Sequence, residues 1–359
     1  MSAIPKAVLY YYPLSVWSSA TLLALEEKGY GDNDVDLKIV DLCKSYRSLR
    51  LNDSQGEIAK GENYGPPFLR LNAKARVPTL VVPLQKTLGE DVESRYKAIT
   101  ETKAIIGFLD KSRSPLSRTN TTSDAPAPSL MPASIAFLAT SKTIVEEILH
   151  SEQNDPNNLT YVNARDDTSL RVLSESLLPY FKGRQEALAG YLADPESRVT
   201  DKVKNFWRTK KEAIDALMAV YEKGDKSESE LSDDDKAKRK EFFTTAKSVW
   251  EEHLAKVLLK LNSEIIGPYA LGEQYSIADP HLAAWLTRIV MLAGGSAEDN
   301  GSTVISKLES HIGNGLAIPK IRAVAVAGEE AVSKSKLAEY WDAMKERNSW
   351  QKVYSNGLH

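Results

Sequence analysis

The chain has 359 residues, 42% of them hydrophobic and 26% charged, with a formal net charge of −3 and a pI of about 6.1. At roughly 100–200 residues per domain this length suggests two domains, each able to bury a core. The near-neutral balance gives no positive field to draw the chain to nucleic acid or anionic lipid, and a single cysteine, Cys43, excludes both an intramolecular disulfide and a cysteine-based zinc site.

Residues 7–12 (AVLYYY) form an apolar, aromatic-rich run that predicts a buried strand, broken by Pro13. A helix is predicted over 15–29, with Ala20, Leu22, Leu23 and Leu25 at helical spacing and Gly29 as its stop. Strands are predicted at 35–40, 77–82 and 96–99, with a short helix at 67–71 and another helix opening at Thr102. The order β-α-β-α-β-β-α predicts a small mixed sheet with helices on its faces.

Residues 111–130 are rich in Ser, Thr and Pro and read as a linker. Beyond it the strand signals vanish. Amphipathic helices are predicted at 134–150, 170–192, 202–221, 236–261, 280–291 and 334–353. The expected organisation is therefore an α/β domain at 1–110, a linker at 111–130 and an all-helical domain at 131–359. The charged segment 223–240 is expected to be a solvated turn, since it lacks the apolar residues to bury. No run approaches about 20 uninterrupted apolar residues, so no membrane span is expected. Together with the lone cysteine, this fits a cytoplasmic setting.

Four local patterns carry chemistry. Val77-Pro78 opens a strand: a cis peptide there turns the Val77 backbone outward to pair with a peptide-like ligand, whereas an ordinary strand-start proline does nothing of the kind. Glu101-Thr102 starts a helix, where free N–H groups attract a carboxylate and Glu101 suits an ammonium group; the same pair also reads as a simple N-cap. Ser15 lies where the first strand enters the first helix. A hydroxyl and a helix N-terminus together favour a thiolate, although Ser15 and Ser18 also serve as plain caps. Ser276-Ile277-Ala278-Asp279 reads as a structural capping box, with Ser276 and Asp279 satisfying each other's backbone donors.

In this order and spacing the patterns resemble the glutathione transferase superfamily. YYYPLSVWSSATLLALEEKGY is similar to its first strand and helix, PPFLRLNAKARVPTLVV to its cis-proline segment, and ITETKAIIGFLD to its glutamyl-site signature. YSIADPHLAAWL is similar to the capping box of its helical domain, and LAEYWDAMKERNSWQKVY to its last long helix. The resemblance implies a thioredoxin-like domain followed by an all-α domain, with glutathione as co-substrate.

By position the resemblance assigns roles to individual residues. Ser15 would stabilise the glutathione thiolate, with Tyr11 as second candidate. Val77 and a cis Pro78 would bind the cysteinyl backbone. Glu101 and Thr102 would hold the γ-glutamyl end, and Arg76 and Lys74 would face the glycyl carboxylate. It implies a transferase of detoxification type acting on an apolar electrophile, by conjugation or by reductive dehalogenation or ether cleavage. A homodimer is also implied. The alternative is a non-catalytic carrier of glutathione or an apolar ligand on the same fold.

The chain departs from the family in its long stretch at 111–260. HSEQNDPNNLTYVNARD within it has a likeness to the tetrachlorohydroquinone dehalogenase-like branch, and Tyr161, Arg165 and Trp207 are pocket candidates there. His150, His253, His281, His311 and His359 are scattered without metal-ligand spacing, so no metal is expected. Cys43 is expected to be a small buried filler.

Overall fold

A computed structural model describes residues 6–42, 61–83, 96–113, 127–195, 198–321 and 333–359. Cys43 and most of the 111–130 linker lie outside these residues. A four-stranded sheet of order β2-β1-β3-β4 is formed by β1 (Ala7–Tyr11), β2 (Val35–Ile39), β3 (Thr79–Pro83) and β4 (Tyr96–Ile99). β1 runs parallel to β2, with Leu9 opposite Leu37, and antiparallel to β3, with Leu9 opposite Leu80. β4 closes the far edge antiparallel to β3.

Two-residue alternation along β1 sorts its side chains. Leu9 and Tyr11 face a core shared with Leu25 of α1 (Val16–Glu27) and with Ile105 and Leu109 of α3 (Thr102–Ser112). Tyr10 and Tyr12 face the opposite side, where Phe68 of α2 (Pro66–Leu71) meets Tyr10 edge-on at 6.1 Å. This is a thioredoxin-like domain, and the predicted order of its elements is the observed one.

The remainder is helical: α4 (Ile135–Lys142), α5 (Pro156–Tyr161), α6 (Asp167–Ala193), α7 (Asp201–Tyr221), α8 (Asp233–Lys247), α9 (Ala255–Glu264), α10 (Asp279–Leu292), α11 (Gly301–Ile312), α12 (Lys336–Lys345) and α13 (Asn348–Val353). π-helical turns at Thr143–Leu149 and Ser248–Leu254 extend α4 and join α8 to α9. The predicted helix at 334–353 is two, α12 and α13. Among the described residues, α5 and α11 were not predicted. In α11, Val304, Ile305, Leu308 and Ile312 are buried, Asn300 caps the start through Thr303 N–H and Gly313 ends it. Gly301 packs so closely on α12 that a Cβ would lie 2.1 Å from the Ala338 carbonyl oxygen.

Two apolar cores organise this part. One joins α9–α13 to α1, burying Trp250, Trp285 and Trp341 together with Val16, Ala20, Leu23 and Ala24. The other is built by α6, α7 and α8 and reaches Tyr64 and Ala75 of the sheet domain. The charged segment corrects the expectation in part. Its second half is the start of α8, and Arg239 is buried there, paired with Asp167 at 2.9 Å and donating to the Lys226 carbonyl at 2.9 Å. A guanidinium held by a carboxylate and a carbonyl supplies the anchor that apolar residues do not.

A buried ion pair of the sheet domain anchors the linker between the two parts. Lys28 Nζ is fully buried 2.9 Å from Asp110 Oδ1 and donates to the Pro128 carbonyl at 2.6 Å. Asp110 also accepts the Leu130 N–H at 2.8 Å, and the Leu130 carbonyl accepts the Ile277 N–H at 2.7 Å. The end of the linker is thereby fixed to both domains. Among the described residues no helix is long and apolar enough to cross a membrane.

Candidate active site

A cavity of about 410 Å³ opens between the sheet domain and the helices, lined on the sheet side by Tyr12, Ser15, Lys74, Arg76 and Val77. Ser15 is the N-cap of α1: its side chain accepts the Ser18 N–H at 3.4 Å while its backbone is extended. A cap is required because the first N–H groups of a helix have no partner within it. Among the described residues no acceptor takes the Ser15 O–H, so the hydroxyl is available to donate at the positive end of α1.

The Val77-Pro78 peptide is cis, as the outward-turned reading of that dipeptide requires. Val77 lines the cavity, and neither its N–H nor its carbonyl has a backbone partner among the described residues. Asn72 secures this corner by donating to the Arg76 carbonyl at 2.8 Å and to Thr79 Oγ1 at 3.0 Å. Asn63 donates to the Ala75 carbonyl at 2.9 Å, which leaves its buried Oδ1 unpartnered among the described residues on the cavity wall. A free peptide edge, an orphaned amide oxygen and two exposed cations fit an extended peptide with a carboxylate.

The other sequence candidates are placed differently. Tyr11 is not among the cavity-lining residues; strand alternation turns it into the core beneath α1, where burial raises its phenol pKa and keeps it neutral. Its neighbour Tyr12 is the tyrosine on the wall. Glu101 is the N-cap of α3 without a side-chain cap bond, and Thr102 is buried at the first position of that helix. Neither lines the cavity. Glu101 instead meets Lys74 Nζ at 2.5 Å at its rim, both side chains being more than half exposed. The two groups assigned to opposite ends of glutathione thus neutralise each other here.

Tyr161 lies on the wall, edge-on to Phe181 at 5.0 Å. Trp207 does not: it is fully buried and its Nε1 donates to the Tyr64 carbonyl at 3.0 Å. Arg165 is likewise structural, donating to the carbonyls of His311 and Ile312. Sequence reasoning missed the basic side chains of α6, α7 and α10 on this wall, Arg184, Lys210 and Arg288. It also missed His359, which lines the cavity with its Nε2 2.9 Å from Ser19 Oγ, the hydroxyl that donates to the Ser15 carbonyl at 3.2 Å.

The box at 276–279 is realised with a change of donor. Asp279 accepts the Ser276 N–H at 2.6 Å, but Ser276 Oγ donates to the Asp279 carboxylate at 2.7 Å instead of accepting its N–H. The second carboxylate oxygen takes the Ala270 N–H at 2.8 Å. Burial pushes this carboxyl up to about 6 against the pull of those bonds. Among the described residues no group of three or more His, Cys, Asp or Glu is arranged to hold a metal.

The sheet order, the cis proline beside a helix-capping serine and the helical second domain define a thioredoxin-like protein with an appended all-α domain, and the resemblance to glutathione transferases stands on these features. No family model matches the chain. A tetrachloro-p-hydroquinone reductive dehalogenase of Sphingobium chlorophenolicum is 39% identical over 79 residues, which is 22% of this chain and 25% of that protein. The match thus spans a quarter of the relative's length. Solved structures that align include Gtt2 from Saccharomyces cerevisiae (15% identity, TM-score 0.43, covering 96% of this chain and 99% of that one). Another is the Omega 3C glutathione transferase from Trametes versicolor (17% identity, TM-score 0.43, covering 98% and 85%).

Proposed function

We propose that this protein is a glutathione transferase in which Ser15 stabilises the glutathione thiolate. The observation that carries the reading is the placement of Ser15, at the N-terminus of α1, and the unpaired backbone of Val77, beside cis Pro78, on one cavity. An extended tripeptide bound along Val77 brings its thiol toward the Ser15 hydroxyl, with Arg76 and Lys74 near its glycyl carboxylate. A free thiol of pKa about 8.5 is mostly protonated at neutral pH, and each unit by which a hydroxyl and a helix dipole lower it contributes about 1.4 kcal/mol.

The thiol proton passes to solvent. The thiolate sulfur then forms a bond to the electrophilic carbon, and the leaving group departs with its electron pair. Reductive removal adds a second step: another glutathione thiolate takes the first sulfur as a disulfide and the carbon is protonated. In either case the protein supplies pKa control and proximity, and the thiolate is the nucleophile.

Calorimetric titration of glutathione, alongside an aryl-halide conjugation assay, tests this. Binding and turnover together support it; absence of binding sinks it. A second reading, a carrier that binds without fast chemistry, is favoured by the Lys74–Glu101 bridge, which occupies both end-group residues. Binding without turnover across a panel of electrophiles would select that reading. A cytoplasmic homodimer belongs to the same proposal.

A further inference from the structure

Most of the wall opposite the sheet domain comes from helices that the family resemblance does not include, and among the described residues its charge is mainly positive. α7 contributes Lys210 and α6 contributes Arg184, while Arg76 approaches from the sheet side. Among the described residues the acid on this wall is Asp155, which is committed to capping α5, accepting the Asn157 N–H at 2.8 Å and its side-chain amide at 3.1 Å. Among the described residues no carboxylate lies within 4.0 Å of Lys210 or Arg76. Burial, followed by the fields of Arg76 and Arg184, lowers the Lys210 pKa. Cations collected on a half-buried wall repel one another and lose hydration, and an anionic ligand offsets both costs.

The same wall is aromatic. Phe181 stands edge-on to Tyr161 at 5.0 Å and to Tyr180 at 5.3 Å. Arg184 lies 5.1 Å from the ring centres of both Tyr180 and Tyr64 and donates to their hydroxyls, so its guanidinium is fixed in place. Phe181 is buried, and the partly exposed rings beside it, Tyr161 and Tyr180, share the cavity with Lys210.

We propose that the second substrate is an aryl carboxylate whose ring packs on Tyr161 and Tyr180 and whose charge is received by Lys210, with Arg76 alongside. This rests on the transferase reading and names its substrate class. Lys210 is the discriminating residue, because Arg76 is shared with the position expected to face glutathione.

The experiment uses the full chain and a matched pair of electrophiles, a chlorodinitrobenzoate and its carboxamide. In both the glutathione sulfur bonds to the ring carbon and chloride leaves with its electron pair. Wild type is expected to show a lower KM for the carboxylate than for the carboxamide. Lys210→Met is expected to shrink that preference about tenfold, the loss of one charge-assisted hydrogen bond, and Lys210→Arg to retain most of it. No preference in wild type, or a preference intact in Lys210→Met, would overturn the proposal. So would a Lys210→Met that weakens glutathione binding by calorimetry while keeping the preference, since Lys210 would then serve glutathione's own carboxylates. If wild type neither binds nor uses glutathione, the transferase reading fails separately. Direct titration of the two probes then decides the cavity's selectivity: tighter binding of the benzoate, lost in Lys210→Met, upholds the anion site, and equal binding refutes it.

Discussion

Trp17 lies flat on His150, ring centroids 4.0 Å apart and planes within 20°, and His150 Nε2 is in turn 2.9 Å from His281 Nδ1. The stack joins α1 of the sheet domain to the π turn after α4 and to α10. It is built for neutral imidazoles: burial first, then Lys103, lowers the His150 pKa to about 4, with Glu101 opposing, and burial with His150 and Lys103 lowers that of His281 well below its ordinary value. Both are depressed relative to the unfolded chain, so their contributions to stability are complete above pH 6.5 and are lost as pH falls, for His150 as it falls toward 4. For His150 the loss amounts to on the order of 3 kcal/mol. Thermal melts of wild type are expected to fall steeply across that window, and those of His150→Leu/His281→Leu to fall less.

Ser15 caps α1 and, on the proposed reading, also stabilises the thiolate; two substitutions separate these tasks. Ser15→Ala removes both the cap and the hydroxyl. It is expected to cost about 1 kcal/mol of stability and to cut turnover on the order of a hundredfold. Glutathione affinity should change by less than about 1 kcal/mol, because the hydroxyl acts on the thiolate more than on the bound tripeptide. Ser15→Asn keeps a capping oxygen and should restore stability without restoring turnover. Chemical denaturation beside steady-state kinetics reads both. Full activity in Ser15→Ala would move the role to another group on the wall.

The Lys74–Glu101 bridge is exposed, so removing either partner should change stability by less than about 1 kcal/mol. Ligand binding should respond much more. Glu101→Gln is expected to weaken glutathione measurably in calorimetry, since the bound ammonium loses its counter-charge. An unchanged affinity would mean that the bridge stays closed when glutathione binds and that Glu101 takes no part.

Lys28 and Asp110 form a buried pair whose members are hard to remove singly. Asp110→Asn leaves the ammonium uncompensated and also weakens the bond to Leu130 N–H; the expected cost is about 3–5 kcal/mol. Replacing both, Lys28→Met with Asp110→Leu, should recover a large part of it. Urea unfolding of the three proteins gives the comparison directly.

How much of this was legible beforehand follows from which forces are local. The β-strands, α1 and the turn at Val77-Pro78 are written in short-range signals: apolar alternation, a capping serine, a proline between β-branched residues. Those signals sufficed to place Ser15 and Val77 on one wall. Tyr11 lies off the cavity because one residue along a strand reverses the face, and the sequence YYY offers no local reason to prefer one tyrosine over another. α11 was missed although Asn300, Gly301 and Gly313 mark its ends, because the loop glycines around it dilute the helical period. Lys210 was illegible for a different reason. On α7 it reads as one more solvated lysine, and only the packing of α6 against α7 over Tyr64 and Ala75 turns it toward the cavity.

That packing has a consequence for the two-reactant cavity proposed above. Trp207 of α7 holds the Tyr64 carbonyl, and Ala187 of α6 sits where a Cβ on Gly61 would come within 2.8 Å of it. The α6–α7 pair therefore both lines the cavity and buttresses the segment that carries Asn63 and Tyr64. A strain imposed on one end of the cavity is felt as work at the other, and by linkage each reactant enters the other's binding free energy. If the cavity takes two substrates as proposed, the helices that enlarge the second domain become a mechanical connection between them.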